Sequence, residues 1–133
     1  MNYHHQGLAA GRWKQMKFPD QMANIGSEVE RALNWRAKNN PEYSQRAFER
    51  ALELLDLTLD CQKDFHRLRE LARVREALAD YFFGENEFKS TDQAWRKYFL
   101  PFNFLARRES MSKLGRAAEN AAEDYPKGRT EPL

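Results

Sequence analysis

The sequence predicts an all-α protein, a compact antiparallel bundle of four to five helices. Apolar residues recur at steps of three and four along most of the chain, the period of a half-buried helix. Residues that start and stop helices fall between these periodic runs at short intervals. No segment alternates apolar and polar residues long enough to make a strand. The 133 residues suit one domain, and a chain of that length buries enough surface to fold without a disulfide or metal. With 41% hydrophobic and 13% aromatic residues it is too apolar to be disordered.

Residues 1–18 read as a loose, glycine-dotted lead-in, with Trp13 and Phe18 pinning its end to the body. The single domain spans 19–125, and 126–133 form a polar tail. Pro19 suits the first turn of a helix, where its missing N–H is not needed. The first helix runs from about Asp20 to Lys38 on a stripe of Met22, Ile25, Val29, Ala32 and Leu33. Gly26, with Ser27 and Glu30 as a capping box, predicts a late start or a kink there. Asn39, Asn40 and Pro41 stop this helix and open the next, which runs to about Leu59. Its stripe is Ala47, Phe48, Ala51, Leu52, Leu55, Thr58 and Leu59.

A third helix, Asp64 to Phe83, places Phe65, Leu68, Leu71, Ala72, Leu78, Ala79 and Phe82 on one face, and Gly84 ends it. Ser90, Thr91 and Asp92 cap a fourth helix carrying Trp95, Tyr98, Phe99, Phe102 and Leu105, with Phe88 as a hydrophobic staple. Pro101 should kink or split it. A last alanine-rich segment follows from Met111 to about Asp124, whose small side chains suit a closely packed helix or a marginal one.

The net charge of +2 gives no global field to draw the protein onto nucleic acid or an anionic membrane. A local basic stretch runs from Arg96 to Arg116, with six basic residues against one acid, Glu109. Cys61 is the sole cysteine, so no intrachain disulfide or cysteine-based zinc site forms, which suits a reducing, cytoplasmic compartment. There is no apolar run near the roughly 20 residues of a membrane span, and Met1 to Lys17 holds no apolar signal core. No Glu-x-x-His, His-Glu-x-x-His, glycine-rich phosphate loop or nucleophile elbow occurs, so neither a cofactor nor a metal is expected.

Arg75 falls among Leu71, Ala72, Leu78 and Ala79 in the third helix's apolar stripe. A guanidinium there must find a carboxylate or line a solvated groove, since an unpaired buried charge is very costly. Asp56 is the better placed partner and Asp80 the poorer. Arg36 falls on the core side late in the first helix and should snorkel out at its end. His66 with Glu70 is a surface pair. Candidates for binding are Arg75, Asp80, Arg96, Lys97, Arg107 and Arg108, the last four beside aromatics that could stack bases.

Two segments resemble known proteins. Residues 40–59, NPEYSQRAFERALELLDLTL, and residues 71–81, LARVREALADY, resemble two helices of HEPN-domain proteins. In active members an arginine and, four to six residues later, a histidine serve RNA cleavage. Arg75 matches the arginine; the histidine position falls at Asp80 or Tyr81, and no histidine follows His66. The resemblance implies a four-to-five-helix bundle, commonly dimeric, without the cleaving pair. The runs RALELLDLTLD and ADYFFGENEFKSTD are also similar to small prokaryotic all-helical proteins.

The expected function is that of a non-catalytic helical interaction protein with a protein partner; an RNA- or nucleotide-binding module using Arg75 and the Arg96–Arg116 stretch is the alternative, and a ribonuclease comes last. A homodimer is expected because Leu54, Leu57, Val74 and Tyr81 lie off the main stripes and ask for a second contact.

Overall fold

A computed structural model describes residues 11–123, with side chains at all of these except 109, 110, 112–114 and 116–123. Residues 1–10 and the C-terminal tail lie outside the described residues. The described chain is all-α: α1 (Trp13–Gln15), α2 (Phe18–Ala37), α3 (Pro41–Cys61), α4 (Phe65–Phe83) and α5 (Asp92–Glu123).

Each helix is bounded by local chemistry. Proline stands in the first turn of α2 and of α3. Asn39 takes a left-handed conformation (φ 59°) between them, and the Asn40 side chain accepts the Tyr43 N–H to cap α3. Asp64 caps α4 by accepting the Arg67 N–H, and that bond holds its carboxyl below the usual range. Thr91 Oγ1 accepts the Ala94 N–H at the head of α5.

Contacts fix the directions. Ser44 donates to the Ala32 carbonyl and Arg50 to Glu28, so α3 runs back along α2. Arg75 meets Asp56 while Phe82 stacks on Phe48, so α4 runs back along α3. Arg96 meets Glu30, Phe99 lies on Gly26 and Phe102 packs on Phe18, so α5 descends α2. Tyr98 on Glu70 and Tyr81 on Asp92 close the ring between α4 and α5.

The core is drawn from all of these: Trp13, Met22, Ile25, Val29, Leu33, Phe48, Leu55, Leu71, Leu78, Trp95 and Phe99 are buried. Trp13 is pinned as the sequence suggests; its Nε1 donates to Thr58 Oγ1 at 3.0 Å inside the core. Its carbonyl accepts from buried Gln21, so the lead-in's end is part of the body.

Several expectations are corrected. α2 is continuous through Gly26 and Ser27, because Ser27 donates to the Ala23 carbonyl within the helix and Gly26 serves as a seat for Phe99. Pro101 does not split the last segment: α5 is one helix of 32 residues. Trp95, Tyr98, Phe99 and Phe102 pack inward on both sides of the proline, and Pro101 itself is exposed. Phe88 is 57% exposed and staples nothing.

On α4, Phe65 and Ala72 face solvent and Val74 is buried. The helix serves two neighbours rather than one. Arg75 and Phe82 turn to α3, while Glu70 and Tyr81 turn to α5. The residues assigned to a second copy are therefore covered within the chain: Leu54, Leu57 and Val74 are buried and Tyr81 is half-buried.

Candidate interaction surface

The sequence-derived binding residues do not gather at one place. Arg75 Nε donates to Asp56 Oδ1 at 2.7 Å, and both side chains are about 40% exposed, so the pair closes an open edge between α3 and α4 rather than lining a groove. Asp80 is a clamp for the α4–α5 connection: its two carboxylate oxygens accept the backbone N–H groups of Glu87 and Phe88. Arg96 is held on α2, with Nε donating to both oxygens of Glu30 and a terminal nitrogen donating to Asn34 Oδ1. Its charge is spent on fixing α5 in place. Lys97, Arg107 and Arg108 are exposed.

Two further clusters join helices. Arg36 lies 4.6 Å from the Tyr81 ring centre and 4.8 Å from that of Phe82, and bonds to Asp92 at 3.0 Å. Asp92 also accepts the Tyr81 hydroxyl, and burial together with that carboxylate raises the Tyr81 pKa. Tyr98 donates to Glu70 at 2.5 Å; burial first, then the carboxylate, pushes its pKa up strongly. Both clusters tie α5 to the bundle, so Glu70 is engaged away from exposed His66. His66, Arg69, Glu70, Arg73 and Val74 line a shallow depression that offers no hydroxyl or thiol nucleophile. Asp80 is bound to its loop and Tyr81 to Asp92.

A groove of about 450 Å³ separates α2 from α5 above Gly26 and Phe99. Its charges neutralise one another, Glu30 with Arg96 and Arg31 with Glu28, which leaves nothing to select an anion. Among the described residues no group of three or more metal-ligating side chains comes together. No helix among them is long and apolar enough to cross a membrane.

The remaining surface stands apart. Phe102 of α5 meets Phe18, the first residue of α2. Residues 103–123 continue α5 for about 30 Å beyond this contact. Along this length Phe104, Leu105 and Met111 are 65%, 46% and 66% exposed, and Leu100 just before them is 62% exposed. Phe104, Arg107, Arg108 and Met111 line an open apolar depression. The chain matches no protein-family model, no curated protein and no solved structure. Sequence reasoning singled out Arg107 and Arg108 but assigned Leu105 to a core face, because its spacing continues the stripe of Trp95, Tyr98, Phe99 and Phe102.

Proposed function

We propose that this chain is a non-catalytic interaction protein, HEPN-like in α3 and α4, that works in the cytoplasm by docking a protein helix on the distal half of α5. The observation that supports this is the exposed row Leu100, Phe104, Leu105 and Met111 along α5. Exposed large apolar side chains gathered along one stretch of helix mark an interaction site.

An RNA- or nucleotide-binding role has one observation in its favour, exposed Arg107 and Arg108 flanking Phe104, which could pair a phosphate beside a stacked base. It loses Arg75 and Arg96, which are held by Asp56 and Glu30.

A photo-crosslinking amino acid placed at Phe104 in cells separates the two. The docking role expects a discrete protein adduct at Phe104 and none from the same label at exposed Gln45. A nucleic-acid adduct at Phe104, or no adduct there, would contradict it.

A further inference from the structure

We infer that the groove between α2 and α5 binds a small uncharged aromatic molecule carrying a hydrogen-bond acceptor, which Trp95 recognises through its indole N–H. The site is separate from the docking role proposed for Phe104 and Met111 and does not depend on it.

The two buried tryptophans differ in one respect. Trp13 Nε1 donates to Thr58 Oγ1 at 3.0 Å. Trp95 is only 7% exposed, yet its Nε1 is buried and donates to nothing among the described residues. No other buried side-chain nitrogen or oxygen among them lacks a partner. A buried donor without an acceptor is costly, and native folds seldom keep one without a use for it.

Trp95 lines the groove, together with Phe99 of the next turn of α5. The two rings lie 6.3 Å apart at 30° and, with Val29, Leu33 and Leu100, give the groove an apolar wall. Gly26 adds no side chain on the α2 side, where Phe99 lies against it. At about 450 Å³ the groove falls within the size range of small-molecule sites, which pair apolar walls with a few placed polar groups.

The walls set the class of ligand. Glu30 is bonded to Arg96 and Glu28 to Arg31, so neither sign of charge is left over to attract an ion. The apolar wall suits a flat ring, and the lone indole N–H calls for a carbonyl or ring-nitrogen acceptor. Reaching Nε1 takes a turn of the indole edge toward the groove. Because Nε1 makes no hydrogen bond in the ligand-free fold, that turn breaks none, and the ligand supplies the acceptor that the fold withholds.

The test titrates the 15N-labelled full chain with three probes of similar shape: acetophenone, which carries a carbonyl, ethylbenzene, which has no acceptor, and benzoate, which is charged. The indole N–H signals of the three tryptophans are assigned through contacts with neighbouring side chains, Tyr98 and Phe99 for Trp95. Acetophenone should move the Trp95 signal downfield as its carbonyl accepts the N–H, and leave that of Trp13 in place. Ethylbenzene and benzoate should bind about tenfold more weakly, the loss expected for one hydrogen bond. In Trp95→Phe, acetophenone should bind no better than ethylbenzene. Acetophenone that leaves the Trp95 signal unmoved, or ethylbenzene that binds the parent protein as well as acetophenone, would overturn the role of the indole N–H. Benzoate as the tightest of the three would overturn an uncharged ligand.

Discussion

Arg75 on α4 and Asp56 on α3 meet at 2.7 Å, with about 40% of each side chain open to solvent. The sequence leads to the right partner but to the wrong depth. A buried pair broken from one side would cost on the order of 3 kcal/mol. A half-exposed pair is screened by water, so Arg75→Ala should cost about 0.5–1 kcal/mol in urea unfolding. A double-mutant cycle with Asp56→Ala should give a coupling of similar size; a loss near 3 kcal/mol would mean that the pair is dry.

Trp13 and Thr58 carry more weight. Trp13 is 2% exposed and its Nε1 donates to Thr58 Oγ1. Trp13→Ala should cost about 3–5 kcal/mol, as a large core deletion does. Thr58→Val keeps the shape and strands the indole N–H, so about 1–3 kcal/mol is expected. A Trp13→Ala protein as stable as the parent would place this turn off the core.

Gly26→Ala tests the α2–α5 crossing. Alanine favours helix, yet its Cβ would lie 2.9 Å from three carbons of Phe99, which is buried and cannot swing away. The substitution should destabilise by about 1–3 kcal/mol despite the better propensity. Adding Phe99→Leu should recover part of the loss; a stabilised Gly26→Ala would contradict the close approach.

Alkaline pH tests the α4–α5 closure. The pKa of Tyr98, held on Glu70, is raised in the folded protein. Its contribution is fully present below the unfolded tyrosine value of about 10, and is lost as pH rises beyond it, because the unfolded chain ionises first. Unfolding midpoints followed from about pH 8 to about pH 11 should fall. Tyr81 adds to the fall in the same direction. Tyr98→Phe should flatten this decline, and an equally steep one in the variant would remove Tyr98 from the account.

Much of the bundle is legible in the sequence because its signals are local. Asn40 and Pro41, Asp64 and Thr91 bound helices through their own side chains, and Gly84 ends α4 where a Cβ would crowd the Asp80 carbonyl. What escapes local reading depends on a neighbour. Val74 is inside and Ala72 outside because α4 faces α5 as well as α3. Glu30 looks like half of a capping box until Arg96, sixty-six residues on, takes its carboxylate. Pro101 looks like a helix end until the aromatic row on either side of it packs on α2. The candidate site follows the same rule, since Arg96 and Asp80 carry binding chemistry in the sequence and structural partners in the fold.

The exposed row on α5 bears the functional account, and photo-crosslinking in cells from a label at exposed Leu105, in the parent protein beside a Phe104→Glu/Met111→Glu variant, tests it most directly. The parent should give a discrete protein adduct, and the variant, as helical as the parent by circular dichroism, should lose it. A parent that gives no protein adduct, or a variant that gives the same adduct as the parent, would contradict it.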